Sequence, residues 1–329
     1  MPSMRKSKAA ALAVLTALLA VGCSSSTSSA PSSAPEASRT SAAADRGGAL
    51  PEGIAAIGSP VTVADGSWTL SLAPFEKTET TPSAQGVPAG WETLRTKAVF
   101  TNTGQEIALL PDTTVTVRYG DLGRPAVLFR DTGLSGLPDA DADTKVKPGA
   151  RFTADLGIAV PAQAAGQRAT VTAETTEEGL AQAEAVFFEG TLPGTAQASS
   201  DPSPAAPPST GAVLPLGSWY DKRLRVSALA LGGAENGRRA ATLDLTVVND
   251  RSEPKPGLDV TVRVLTGDGL ALAATARPVL DYADAPIAPH RTATQTIQLQ
   301  LSATAVPGPV TVEAVERDGT RATFDGQAG

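Results

Sequence analysis

The sequence predicts an all-β protein of two tandem antiparallel β-sandwiches joined by a linker rich in Pro, Ser and Ala. Three observations carry this. Apolar and polar residues alternate with period 2 along many short runs, as strands with one buried face require. Gly (31) and Pro (26) punctuate those runs and aromatics are only 4% of the 329 residues, a small-residue mixture that favours turn-rich sheets over helix bundles. The same order of runs then occurs twice, with offsets that drift only from 147 (Asn102 to Asn249) to 141 (Thr170 to Thr311).

The chain begins with an export pattern. Arg5, Lys6 and Lys8 precede residues 9–22, which are apolar apart from Thr16. At 1.5 Å per residue this run spans roughly 20 Å, short of a hydrocarbon core of about 30 Å, so it reads as a signal peptide and not as a spanning helix. It ends in Ala20-Val21-Gly22-Cys23, and Cys23 is the only cysteine of the chain. This stretch resembles the bacterial lipoprotein signal, the lipobox, although Ala20 stands where that family more often has Leu. The resemblance implies cleavage before Cys23 and a diacylglyceryl group on its sulfur. Two or more acyl chains, at about 0.8 kcal/mol per buried methylene, hold a protein stably at a bilayer, facing the extracellular or cell-wall side. A core role for Cys23 does not fit the flanking "SSSTSSAPSSAP", which has nothing to fold around it. With that thiol acylated, the mature protein has no disulfide, and core burial must stabilise it.

Residues 23–50 carry the lipidated cysteine and read as a disordered tether of Ser, Ala, Thr and Pro, roughly 30 Å long on average as a flexible coil. Residues 193–212, "PGTAQASSDPSPAAPPSTGA" from 193, form a second such segment of up to about 60 Å if extended, and the reading is that it lets the two halves move independently. The halves are residues 51–192 and 213–329. In the first, "RFTADLGIAV" places Phe152, Ala154, Leu156, Ile158 and Val160 on one face. "TTVTVRY" sets Val115, Val117 and Tyr119 against outward Thr114, Thr116 and Arg118, and "LRTKAVF" turns Leu94, Thr96, Ala98 and Phe100 inward. Asp65-Gly66 predicts a two-residue hairpin between "VTVA" and "WTLSLA". In the second half, "TLDLTVV", "VTVRV" and "ATQTIQLQL" repeat the alternation, and Asp318-Gly319 predicts a last hairpin. Strands with a polar outer face belong to antiparallel sheets, and two such sheets pack into a sandwich.

The copies also match in their turns. "AVFTNTGQ" (98–105) parallels "LTVVNDRS" (245–252), and "VKPGARFTADLGI" (146–158) parallels "IAPHRTATQTIQL" (287–299). With Ile57-Gly58, Asn102-Thr103-Gly104 and Lys147-Pro148-Gly149, the first half resembles the telokin-like, immunoglobulin-fold domains of unknown function common in Gram-positive lipoproteins. The second keeps Leu216-Gly217 and Asn249 but has Pro289-His290 for the Pro-Gly. The resemblance implies an immunoglobulin-like fold and brings no catalytic residues with it.

Charge and residue types narrow the function. The formal charge is −7; removal of residues 1–22 takes away three cations and leaves 24 basic against 34 acidic residues, or −10. An acidic chain without a basic cluster is a poor nucleic-acid binder. His290 is the only histidine and reads as a solvated turn residue, so a Ser-His-Asp triad has no evident base. Zinc sites and phosphate-cradling loops lack their motifs, and no cofactor is indicated. Asp139, Asp141 and Asp143 alternate in a loop and could offer three oxygens to calcium, but Thr144 and Ala150 occupy the positions where an EF-hand loop needs Gly and Glu. Among the tryptophans, Trp68 reads as core, Trp219-Tyr220 as a secondary candidate, and Trp91, placed in the loop "GVPAGWETL", as the candidate recognition residue. The expectation is a lipid-anchored, non-enzymatic binding or adaptor protein that presents two β-sandwich modules to a protein or envelope partner. A small-ligand or calcium carrier and a structural envelope spacer are the alternatives.

Overall fold

The computed structural model describes residues 49–139, 143–176, 183–196, 213–257, 260–266, 270–272, 277–278, 285–302, 307–316 and 319–329. The signal, Cys23, almost all of the tether, Asp141, most of the linker and Asp318 lie outside the described residues.

In the first half the chain makes β1 (Ile54–Ala56), β2 (Val61–Val63), β3 (Trp68–Leu72), β4 (Glu76–Lys77), β5 (Trp91–Asn102), β6 (Ala108–Leu109) and β7 (Asp112–Tyr119). It continues with β8 (Arg124–Pro125), β9 (Val127–Phe129), β10 (Lys145–Val146), β11 (Arg151–Pro161), β12 (Arg168–Thr176) and β13 (Glu184–Thr191). One sheet runs β1-β13-β12-β7-β8 and the other β2-β3-β5-β11-β9, with β4 on β5 and a separate β6-β10 ribbon. The second half makes β14 (Leu214–Pro215), β15 (Trp219–Tyr220), β16 (Leu224–Val226), β17 (Ala230–Glu235), β18 (Arg238–Val248) and β19 (Val260–Thr266). Then follow β20 (Leu270–Leu272), β21 (Arg277–Pro278), β22 (Thr292–Ser302), β23 (Gly308–Glu316) and β24 (Arg321–Ala328). Its sheets run β14-β24-β23-β19-β20 and β15-β16-β18-β22-β21, with β17 on β18. Strand for strand this is the order of the first half.

Alternation builds each core. Leu94, Thr96, Ala98 and Phe100 of β5 are buried opposite Ala154, Leu156 and Ile158 of β11, while Arg151 and Thr153 face water. Trp68, Phe100 and Phe188 fill the first core and Leu224, Leu243 and Phe324 the second. Asn102 and Asn249 do the same work in both. Each is fully buried at the end of its strand and donates through Nδ2 to the carbonyl four residues on, Glu106 (2.9 Å) or Glu253 (2.8 Å). Each also donates to a distant carbonyl, Val146 or Ile287, both at 2.9 Å.

Three expectations are corrected. The sheets are not wholly antiparallel: β1 pairs with β13, and β14 with β24, in parallel. Each of these edge strands leaves its sheet for the opposite one through a glycine, Gly58 (φ 98°) or Gly217 (φ 87°), a left-handed conformation that a side chain resists. The Asp65-Gly66 hairpin is not two residues long, because Val63 pairs with Trp68 and Ala64, Asp65 and Gly66 all take positive φ (51°, 48° and 91°). Thr116 and Arg118 do face outward on β7, yet they are only 3% and 7% exposed.

The reason for the last is that the halves are docked and not free. Ala49–Gly329 forms one compact unit, and the outer face of the β13-β12-β7 sheet lies under the second half. Arg118 donates to the carbonyls of Ala285 and Pro286, both at 3.4 Å; its burial pushes the guanidinium pKa down to about 10, partly offset by the Glu174 carboxylate. Thr294 donates through its backbone N to Gly123 O (3.0 Å) and through Oγ1 to Leu122 O (2.7 Å). Arg291 Nε donates to Glu189 Oε2 at 2.6 Å, with both side chains nearly buried. Ile54, Phe187 and Ala288 form a small apolar cluster across the same junction. Backbones approach so closely that a Cβ on Gly123 would collide with Thr292 O. Independent movement of the halves is therefore not what this architecture provides.

Candidate functional site

A concavity among the described residues lies in the first half, where β9 joins the edge of β11 through Gly157–Phe129 and Ile158–Leu128 pairs. Beyond β9 the chain meets Asp131, which gathers two loops. Its carboxylate accepts from Thr81 N (2.7 Å), Thr81 Oγ1 (2.5 Å) and Gly133 N (2.9 Å), and the Ser83 and Thr132 hydroxyls lie 2.7 Å apart beside it. The Gly133 N–H, then the Thr81 hydroxyl and N–H, hold this carboxyl below the usual aspartate range. Asp155 pins the second loop: it accepts from Lys97 Nζ (2.6 Å) and Ser135 Oγ (2.8 Å), and the lysine bond first, then the serine, lowers its pKa.

Between these two anchored loops opens a cleft of about 550 Å³. Leu128, Phe129, Leu134, Leu137 and Leu156 supply its apolar surface, and Ser83, Gln85, Arg130 and Asp139 its polar rim. That volume is ordinary for a ligand site, and an apolar floor with a few polar groups is the usual composition of one. Both anchoring carboxylates, Asp131 after β9 and Asp155 within β11, are engaged and favoured as anions, so their role here is to shape the cleft. Arg130 at the rim is mostly exposed and stands 3.7 Å from Asp139, a weak solvated pair.

The residues nominated by sequence scatter. Asp139 lines the cleft, Asp143 is exposed, and Asp141 lies outside the described residues. Among the described residues, no group of three His, Cys, Asp or Glu side chains converges to hold a metal ion. Trp91 is not in a loop: it is the half-buried first residue of β5, paired with Pro161, and does not line the cleft. The correction has a simple cause, since β5 runs on past the polar Glu92 and Thr93 along the full length of β11. Trp68 is buried as expected. Trp219 is buried too, with its indole N–H unpartnered among the described residues, and Tyr220 packs half-buried on the second core. His290 is exposed at φ 53°, at the turn position that Gly149 fills in the first half. Cys23 lies outside the described residues, and no helix among these is long and apolar enough to cross a membrane.

Sequence reading did not single out Thr81, Ser83, Arg130 or Asp131. The signal available was Asp131-Thr132-Gly133, an Asx-turn signature whose carboxylate caps the N–H two residues on. It also passed over Ser252-Glu253-Pro254-Lys255, which has the Ser-x-x-Lys spacing of some acylation sites. There Lys255 Nζ sits 3.3 Å from the buried Glu316 carboxylate, and its backbone bridges Ile287. The lysine is thereby committed to an ion pair.

No family model matches the chain, and no curated protein does. Among solved structures it is similar to an uncharacterized β-sandwich protein from Clostridium difficile 630, at 13% identity and a TM-score of 0.25, over 40% of this chain and 90% of that one. It is also similar to a protein of unknown function from Porphyromonas gingivalis W83, at 14% identity and a TM-score of 0.20, over 79% of this chain and 98% of that one. Likeness this distant adds nothing about function. The sheets themselves make the chain a β-sandwich protein.

Proposed function

We propose that this is a lipid-anchored, non-enzymatic binding protein of the cell envelope, tethered through acylated Cys23 and engaging a protein or envelope partner. The observation that carries the binding role is the cleft beside β9, with its apolar floor and its walls anchored at Asp131 and Asp155. Anchored walls lower the entropy that binding must remove, which is what preorganisation contributes to affinity. The signal sequence and the thiol at its end support the anchor. Confinement to a membrane plane raises the local concentration of cleft and partner.

Photo-crosslinking residues placed at Leu137 and Arg130 of the membrane-anchored protein, with Trp91 as a control outside the cleft, test this. One reproducible partner captured from the cleft and not from position 91 supports the reading; equal capture from all three, or from none, removes it. The volume of the cleft also favours a second reading, a carrier of a small apolar ligand. A ligand-dependent rise in melting temperature that disappears in Leu137→Asp identifies that case.

A further inference from the structure

The repeat allows one surface to be compared with its own docked counterpart. In the second half, the residues around the Lys255–Ile287 bridge and the turn after it lie against the first half. The matching residues of the first half are the β6-β10 ribbon and its turn. Val146 pairs with Ala108 as Ile287 pairs with Lys255, and Asn102 ties the ribbon to β5 as Asn249 ties its counterpart to β18.

Three positions of that docking surface have changed character. Pro286, Ala288 and Thr292 are matched by Lys145, Lys147 and Arg151. All three cations are exposed, and among the described residues none makes an ion pair or a side-chain hydrogen bond. Beside them stand Ile107 (60% exposed) and Leu109 (36% exposed), two of the four large apolar side chains left exposed among the described residues. Leu109 pairs directly with Lys145. Alternation about the buried Val146 then sets Ile107, Leu109, Lys145 and Lys147 on one outward face.

We propose that this face binds an acidic polypeptide segment carrying aliphatic side chains. Carboxylates of such a segment reach Lys145, Lys147 and Arg151 in charge-assisted hydrogen bonds, while its aliphatic groups cover Ile107 and Leu109. A further β-sandwich stacked as the two halves stack does not fit. It would bury three cations against a surface that, at the internal junction, carries Thr116, Thr172, Phe187 and the cation Arg118 and meets the other half with one carboxylate, Glu189, and buried charge left unpaired is strongly unfavourable. The corresponding sheet of the second half is no receptor either, since Arg263 and Arg321 pair there with Glu313 at 3.6 and 3.0 Å in water. An extended anionic bilayer meets the acidic chain over a wide area, with a formal charge of −10 once residues 1–22 are removed, whereas a short peptide covers little beyond these cations and the Debye length of about 8 Å screens it from the rest. Glu106 and Asp143, the acids nearest in sequence, are exposed and form no ion pair with these cations among the described residues.

The test titrates the detergent-solubilised full chain into a short fluorescein-labelled peptide of Asp and Glu with two central leucines, followed by fluorescence anisotropy. The expected result is salt-sensitive binding that weakens by about tenfold or more in the Lys145→Glu/Lys147→Glu variant and is lost for the Asn/Gln version of the peptide. Ile107→Ser with Leu109→Ser weakens binding without changing its salt slope. All four residues are exposed, and an unchanged melting temperature verifies the fold of each variant. Absence of binding, or binding indifferent to these changes, overturns the proposal. So does flotation with phosphatidylglycerol vesicles through the same lysines when the peptide does not bind, which assigns the face to a membrane. Variants of the cleft leave peptide binding unchanged, so failure here is separable from failure of the cleft reading.

Discussion

His290 and Gly149 occupy one turn in two copies, after Pro289 and Pro148, and both have positive φ, 53° and 70°. For a residue with a Cβ that conformation costs roughly 1–2 kcal/mol, while glycine brings back roughly 0.5–1 kcal/mol of extra chain entropy in the unfolded state. His290→Gly is therefore expected to stabilise the protein by about 0.5–1 kcal/mol, read as a higher denaturant midpoint at an unchanged slope. Asp131 makes the opposite kind of statement. Its folded carboxyl ionises at lower pH than the same carboxyl in the unfolded chain, because Gly133 and Thr81 donate to the anion. Its contribution is complete above the unfolded value of about 3.9 and is lost as pH falls through the folded value. The stability gap between the protein and Asp131→Asn should then close on going from about pH 6 to about pH 2, measured by chemical denaturation. A gap that stays constant would mean that Asp131 acts through packing alone.

At the level of strands, the buried asparagines show how a polar side chain can define an element's end. Asn102 closes β5 and holds the β10 carbonyl of Val146; Asn249 closes β18 and holds Ile287. Each accepts a backbone N–H two residues on, Gly104 at 2.9 Å and Arg251 at 3.1 Å, so donors and acceptor are all used. Replacement by Ala strands at least one buried carbonyl at each site, and the expected cost is about 2–3 kcal/mol for Asn102→Ala and for Asn249→Ala alike. Equal losses in thermal unfolding would establish that the copies share one mechanism; a loss at one site only would break the equivalence.

The whole molecule is governed by the junction. A sheet face patterned for water is instead covered by the neighbouring half, with Arg118, Thr116 and Thr172 beneath it. Gly123 is the position with least room, since any Cβ there collides with the Thr292 carbonyl. Gly123→Val is expected to separate the halves, so that calorimetry records two unfolding transitions where the protein itself gives one. Glu189→Gln removes the anion that neutralises nearly buried Arg291, with an expected loss on the order of 3 kcal/mol; it tests the same junction without adding bulk. One transition in both variants would show that the cores are coupled elsewhere.

Sequence by itself determined the class of structure, because period-2 alternation and turn glycines act within a few residues of chain. The inward faces of β5, β11, β18 and β22 were legible in this way, and so was the repeat that places Asn102 and Asn249 alike. Thr116 and Arg118 looked solvent-facing because their local pattern is correct; nothing local says that a surface more than 160 residues away, at Ala285 and Pro286, covers them. The cleft was hidden for the same reason, since Thr81, Asp131 and Asp155 meet only once β9 and β11 are paired. Trp91 looked like a free loop aromatic until the register of β5 on β11 placed it opposite Pro161. Alternation is a property of neighbouring residues, and the sequence carries it. Docking and concavity are properties of surfaces assembled from distant segments, and only the tertiary structure decides them.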